Sequence, residues 1–470
     1  MPQIEGRRLD TVVGILRQRL GEQRVSTGEA IRNQHASTLT WIAAQPPDAV
    51  AWPATEAEVV DIVRIAGEHR IPIIPFGAGT SLEGHVNAPA GGLSLDLSRM
   101  DRILAVHAED LDCTVEPGET RKRLNAHLRD TGLFFAVDPG AGEATLGGMA
   151  STRASGTNAV RYGTMRDNVV RLRAVLADGR VVSTGGRARK TAGGYGLHRL
   201  VEGSGGPLGN ITALTVRPPP RPEHIVAAVC RFATVEGACN TTIAAIQTGL
   251  GLARIELLDP VQIRAVNAYS KLGLEEAPTL FLEFHGTRAA TTEAVALFGE
   301  IAAAEGARGF ATAADEDQRR RLWQARHDAY WANRAVWAGR SIMATDVCVP
   351  ISRLADCVTQ TQADLERLGL TAPIVGHVGD GNFHTTPVFD PDDTREMAAL
   401  REFLERLARR ALAMEGTCTG EHGIGQGKMG YLADELGPGV EVMRQLKRAL
   451  DPLGILNPGK IFGATPDVPG

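Results

Sequence analysis

The nine residues Gly376-His377-Val378-Gly379-Asp380-Gly381-Asn382-Phe383-His384 place two histidines around a glycine-rich turn, and Glu421-His422 follows in a second glycine-rich stretch. Asp380-Gly381 fits a two-residue type I′ hairpin loop, whose two central residues both need positive φ. A chain turning there pairs Gly379 with Asn382, Val378 with Phe383 and His377 with His384. The two imidazoles then project from one sheet face and can share a metal ion, with Glu421 as the natural third ligand. Two neutral imidazoles and a carboxylate suit zinc, manganese or iron; the nearest thiol is Cys418. The competing reading is a polar hairpin with a solvated Asp380 and two unrelated histidines. His422 is left to move a proton, since an imidazole titrates near neutrality. Asn382 has donor and acceptor atoms that can bind a substrate or hold the turn.

Three further groups of residues bear on chemistry. Residues 75–85, Pro-Phe-Gly-Ala-Gly-Thr-Ser-Leu-Glu-Gly-His, follow a strand-like run and offer successive backbone N–H groups that can cradle a pyrophosphate. They match neither GxxxxGK[ST] nor GxGxxG, so an ordinary tight turn stays open for this stretch alone. Residues 139–150, 155–158 and 203–206 add loops without bulky side chains, and several such loops together let backbone pack along an extended cofactor. Arg326 lies in a helical pattern beside Arg319-Arg320-Arg321, where it reads on its own as a surface arginine. Leu453-Gly454-Ile455-Leu456-Asn457-Pro458-Gly459-Lys460 reads as a turn stopped by proline, with Asn457 and Lys460 as polar groups.

Taken together, PFGAGTSLEGH at 75–85, GAGEATLGGMASTRASGTNAVRYGTMRDNV at 140–169 and the C-terminal block resemble the FAD-linked oxidase family of the vanillyl-alcohol-oxidase fold, on its FAD-dependent D-lactate dehydrogenase branch, over roughly residues 45–462. The resemblance implies an α+β protein with an FAD-binding domain and a substrate domain built on an antiparallel sheet flanked by helices. It implies that Pro75, Gly77, Ala78, Gly79, Thr80, Ser81, Gly84 and His85 hold the FAD pyrophosphate region. Pro139, Gly140, Ala141, Thr145, Gly147, Gly148, Ala150, Ser151, Ser155 and Gly156 would line the flavin and its linker, joined by Gly205, Gly209, Ile211 and Asn457. His85 could look like a covalent tether; the resemblance implies a non-covalent cofactor. One departure stands out: the family's GSEGTLGIIT-like run is here Gly203-Ser204-Gly205-Gly206-Pro207-Leu208-Gly209-Asn210-Ile211-Thr212, without the glutamate and with an added proline.

The same resemblance implies a divalent ion, Zn2+ or Mn2+, on His377, His384 and Glu421, with Arg326 clamping a substrate carboxylate and His422 as base. Relatives that oxidise D-2-hydroxyglutarate place a lysine in the segment that here reads Ala344-Thr345-Asp346-Val347-Cys348-Val349-Pro350, and no lysine stands between Arg340 and Pro350. A small 2-hydroxy monocarboxylate such as D-lactate is therefore the expected substrate, because a second buried carboxylate would lack a cation. The expected acceptor of the electrons is a separate cytochrome c or quinone. Competing readings are a glycolate oxidase flavin subunit, a D-2-hydroxyglutarate dehydrogenase and a non-catalytic flavin-binding protein.

These residues need elements to hold them. A helix is expected over 11–21, and a second begins after Thr55 with Glu58 completing a capping box, its face formed by Val59, Ile62, Val63 and Ala66. Strands are expected at 71–76, 93–97, 111–116, 169–176, 280–285 and 374–389, with helices at 120–130, 223–236, 289–305, 315–339 and 392–415. Four prolines in residues 217–222 mark a boundary. The expected organisation is a helical extension at 1–45, the FAD-binding domain at 46–218, a substrate and metal-binding cap at 219–450, and a segment at 451–470 returning to the flavin. A chain of 470 residues needs more than one core, and 53 glycines exceed ordinary usage. A net charge of −5 gives no footprint for nucleic acid, and no apolar run reaches membrane-spanning length. Six scattered cysteines without a CxxC pair, and a charged N-terminal stretch unlike an export signal, point to a reducing cytoplasm. Peripheral membrane association and a homodimer are left open.

Overall fold

The computed structural model describes residues 6–462. The chain forms two compact units, one of Met1–Ser155, Gly163–Pro220 and Glu421–Gly470, the other of Gly156–Tyr162 and Arg221–Gly420. The break at Pro220 falls inside the proline-rich run. The four consecutive blocks expected from sequence are not the units: the N-terminal helix shares the first unit's core, and residues 421–450 belong to the first unit too. Residues 1–5 and 463–470 of the terminal blocks lie outside the described residues.

In the first unit, Thr55 caps the helix Glu56–His69 by accepting from Glu58 N–H, and Val59, Ile62, Val63 and Ala66 are fully buried, as their spacing predicts. The Glu58 carboxylate also accepts from Ala54 N–H and from Arg24. That helix packs on a four-stranded sheet in which Ala49–Ala51, Leu93–Asp96 and Ile73–Phe76 run parallel and Val25–Ser26 closes one edge. The C-terminal segment returns to this sheet: Ile73 N–H donates to Ile455 C=O at 2.7 Å and Asn457 N–H to Ile73 C=O at 2.8 Å. A second sheet, antiparallel, orders Ile103–His107, Asp112–Val115, Asn210–Val216, Val169–Val175 and Val181–Gly185.

The second unit is built on a seven-stranded sheet ordered Ala307–Thr312, His224–Phe232, Thr279–Gly286, Leu252–Leu258, Ile374–Gly376, Asn382–Thr385 and Val347–Cys348, every pair antiparallel. Helices Val235–Gln247, Arg288–Ala304, Leu354–Leu368 and Thr394–Ala413 share a core with one face. Helices Pro260–Ser270, Glu316–His327 and Ala329–Val336 pack on the other through Leu258, Phe281 and Val375. Residues 223–236, expected as a helix, are the strand His224–Phe232. With both faces covered, Ala228, Cys230 and Phe232 enter one core and Val229 the other, so the polar alternation that marks a one-sided strand is lost.

The histidine turn also differs from expectation. Val375 pairs with His384 and Ile374 with Thr385, so His377 lies two residues beyond the partner of His384. The connection is a short 3-10 turn over Val378–Asp380, and only Gly381 has positive φ, at 78°. A shift of two residues preserves the face, whereas a shift of one would have sent the imidazoles to opposite sides. Their ring centroids are 5.3 Å apart. Val349 N–H donates to Gly381 C=O at 3.0 Å, and a Cβ at Gly381 would collide with Val349 O. Gly381→Ala should therefore cost about 1–2 kcal/mol for the left-handed backbone alone, with the collision added. A denaturant midpoint unchanged from the parent would rule out this turn.

Candidate functional site

Glu256 is the polar centre of the second unit's sheet. It stands in Leu252-Ala253-Arg254-Ile255-Glu256-Leu257-Leu258, and strand alternation places it on the face of Leu258, opposite to Ile255 and Leu257. Fully buried, its carboxylate accepts from Arg326 Nε at 2.8 Å and from His377 Nδ1 at 2.7 Å, and lies 2.6 Å from Arg326 Nη2 as an ion pair. Burial pushes this carboxyl up, but the Arg326 guanidinium and the His377 imidazole outweigh it and hold the group below the usual range.

His384 Nδ1 donates to Thr345 C=O at 2.9 Å, the carbonyl fixing which ring nitrogen carries the proton. With Nδ1 of both imidazoles directed at an acceptor, Nε2 of each is the atom with a lone pair for a ligand. Glu421 directly follows Gly420, the last residue of the second unit, and His377, His384 and Glu421 each offer a ligand atom, all within 4.8 Å of one another. The donor set suits a divalent ion of the zinc or manganese kind. Asn382 Nδ2 donates to Asp346 Oδ1 and Val347 C=O, both at 2.7 Å, so its amide holds the segment beside His384 in place. Asp346, itself buried, also accepts from Thr419 Oγ1 at 2.9 Å. Arg326 is buried, against the surface reading of its cluster, and gives Nε–H to Glu256 with Nη2 in the ion pair.

In the first unit the glycine-rich loops converge. A Cβ on Gly77 would collide with Thr145 Oγ1, so the Gly77 backbone lies against the side chain that caps the helix Leu146–Thr152. Gly203 N–H donates to Ala150 C=O at 2.9 Å and Gly205 N–H to Ser151 C=O at 2.8 Å, seating residues 203–205 at that helix's far end. Asn457 Nδ2 ties the tail to both loops, donating to His85 C=O at 3.1 Å and Gly205 C=O at 2.7 Å. Ala78, Thr80, Gly140 and Gly148 are exposed along these loops, Gly209 has φ 159°, and Ile211 is buried in the strand Asn210–Val216. Gly156 falls in the second unit, one residue past Ser155.

The polar atoms of these loops test whether FAD fits. Ser81 Oγ, His85 Nδ1, Ser204 Oγ and both amide atoms of Asn210 are buried without a hydrogen-bond partner among the described residues. Buried polar atoms are seldom left so in folded proteins. Ser81, His85 and Ser204 stand in the glycine-rich runs and Asn210 at the head of the strand that follows, where a long polar cofactor would supply their partners. Lys460 Nζ is buried on the carbonyls of Asn87 and Pro458 and on Asn457 Oδ1, and burial lowers its pKa to about 7. His422 Nδ1 lies 3.9 Å from Glu83 Oε1, and Lys428 Nζ lies 3.5 Å from the same oxygen.

Residues 47–185 match the model of an FAD binding domain, and residues 221–461 that of the C-terminal domain of FAD linked oxidases. The chain is 51% identical over 461 residues to a probable mitochondrial D-lactate dehydrogenase of Danio rerio, covering 97% of this chain and 93% of the relative. It is 46% identical to the mitochondrial D-lactate dehydrogenase [cytochrome] of Arabidopsis thaliana, over 88% of this chain and 73% of the relative. Among solved structures, the 4-ethylphenol oxidase of Gulosibacter chungangensis superposes with a TM-score of 0.81 at 19% identity, covering 98% of both chains. The expected cytoplasmic address is overturned by these relatives, which are mitochondrial by name. The thiols never carried that information: no disulfide joins the six cysteines, and burial pushes Cys113, Cys230 and Cys239 up to about 12, so their state reports packing.

Sequence reasoning missed Glu256 and Asp346. The available signal for Glu256 was a charged residue inside a short apolar run bounded by Gly251 and Asp259-Pro260. For Asp346 it was an acid in the very segment searched for a lysine.

His85 yields a pH test. Burial, with Lys460, His422 and Lys428 adding repulsion, lowers its pKa from 6.5 to about 3. Between those values the unfolded chain binds a proton that the folded one does not, so His85 makes stability rise with pH across that window. In flavin-free protein, His85→Gln should flatten the rise in urea midpoint over this range; identical slopes in parent and variant would show that His85 is not buried as a neutral ring.

Proposed function

As a member of the FAD-linked oxidase family with the vanillyl-alcohol-oxidase fold, the chain is an FAD-dependent D-2-hydroxy-acid dehydrogenase of the D-lactate dehydrogenase type, and we propose that it oxidises D-lactate or a close monocarboxylate with a divalent ion holding the substrate. The observation that carries the ion is the His377, His384 and Glu421 cluster, whose two imidazoles are already oriented through Nδ1. Zinc is the first choice for this donor set and manganese the second.

When bound, FAD would supply a hydride acceptor for the substrate's Cα hydrogen, and an ion on His377, His384 and Glu421 would supply a Lewis acid for its hydroxyl. Every other part falls to the chain. Arg326 gives Nε–H to Glu256 and pairs with it through Nη2, and its Nη1 edge would hold the substrate carboxylate. His422, next to the ligand Glu421, accepts the hydroxyl proton, so hydride and proton leave together and a 2-oxo acid remains. Asn382 keeps His384 and the Asp346 segment in register through its two amide bonds. Ser81, His85, Ser204 and Asn210 would hold the cofactor through polar atoms, Asn457 fixes the loops of His85 and Gly205, and the glycine loops would approach the cofactor with backbone.

A monocarboxylate is favoured by what lines the segment at 344–350. It carries no lysine, and its one ionisable carboxylate, Asp346, is buried and would repel a second acid group. The electrons are proposed to pass to a cytochrome, as the name of the Arabidopsis relative states for that protein.

Two experiments test this. Chelation should remove most D-lactate turnover while leaving FAD bound, and Zn2+ or Mn2+ should restore it; activity surviving complete removal of metal would defeat the ion's role. His422→Ala should slow anaerobic flavin reduction by D-lactate by roughly 10²–10⁴-fold with metal content unchanged. Equal reduction rates in variant and parent would remove His422 from the chemistry.

A further inference from the structure

Resting on the ion and clamp roles proposed above, we infer that Glu256 is a positioning residue that ties His377 to Arg326, so that the group binding the ion and the group binding the substrate carboxylate are held at one fixed spacing. The sheet register creates the tie. Leu258 pairs with Val375 and Leu257 with Gly376, so the next step along the ladder sets Glu256 across from His377 on the same face. Arg326 arrives from the last turn of the helix Glu316–His327, which covers that face.

The two oxygens have separate duties. Oε1 accepts from His377 Nδ1, and Oε2 accepts from Arg326 Nε and forms the ion pair with its Nη2. A carboxylate is planar and rigid, so moving either donor rotates the group and disturbs the other bond. The carboxylate on His377 also acts as the partner that orients a metal-bound imidazole and raises its basicity. A 2-hydroxy acid carries its hydroxyl and carboxylate on adjacent carbons, which is the spacing such a tie would preserve. A glutamate that merely neutralised Arg326 would need no bond to His377.

The test measures metal affinity by competition with a chelator and counts bound Zn2+ or Mn2+ in the FAD-loaded protein. Half-saturation by D-lactate in anaerobic flavin reduction is then read at saturating metal. Glu256→Gln should weaken metal binding about 10–100-fold and, with metal restored, raise the half-saturating D-lactate concentration. Arg326→Met, which removes no ion ligand, should also weaken metal binding, and that effect should vanish when Glu256→Gln is already present. Unaltered metal affinity in Arg326→Met overturns the inference, and this variant decides the matter if Glu256→Gln does not fold. A parent protein that holds no divalent ion would overturn the ion reading itself, a result distinct from a parent that binds metal and variants that bind it equally well.

Discussion

A carboxylate with no exposed surface, set in the middle of a seven-stranded sheet, is the constraint around which the second unit is organised. An ion buried so deeply loses several kcal/mol of hydration unless charged donors surround it. Glu256 has a guanidinium and an imidazole, and the outcome is a carboxyl held in its charged form despite its burial. Removing either partner would leave the other side of an unbalanced ion in a dry core. The position of Arg326 on its helix, the register of Ile374–Gly376 against Leu252–Leu258, and the direction of His377 Nδ1 are therefore one requirement met by three elements.

The two units treat polar atoms differently. In the second, the groups around the histidine turn are paired within the protein: Asn382 with Asp346 and Val347, His384 with Thr345, Glu256 with Arg326 and His377. Such a network fixes its side chains through partners within the protein, which would suit a small substrate with few contacts of its own. In the first unit, serine, histidine and asparagine atoms are buried without partners among the described residues. That pattern suits a large cofactor, whose many contacts can complete the site it occupies.

How far the sequence shows this depends on the range of the interactions. Local signals read well: Thr55 caps its helix, four prolines mark the break, and the tail comes back to Ile73. The His377 and His384 faces were legible because strand parity tolerates a two-residue error, even though Asp380-Gly381 does not form the tight hairpin expected from its composition. The closed form of that turn depends on Val349 and on the packing of Gly379 against Ile255 and Val160, none of them local. Residues 223–236 were misread because a strand covered on both faces has no polar alternation. Glu256 showed only as a charge inside an apolar run, and its pairing was hidden because its partners stand 70 and 121 positions away.

The same network bears on which acids are tolerated. Arg326 is the substrate-holding cation proposed for the second unit, and part of its fork is already given to Glu256. Asp346 adds a second buried carboxylate, held by Asn382 and Thr419 in a segment without lysine. A monocarboxylate asks for one cationic fork and leaves its far end apolar or absent. A dicarboxylate would bring a further negative charge toward a surface that already balances two buried acids, and would pay its desolvation without a new partner. Under the proposed reading, preference for short hydroxy monoacids would rest on charge already present at Glu256 and Asp346, with no steric wall required.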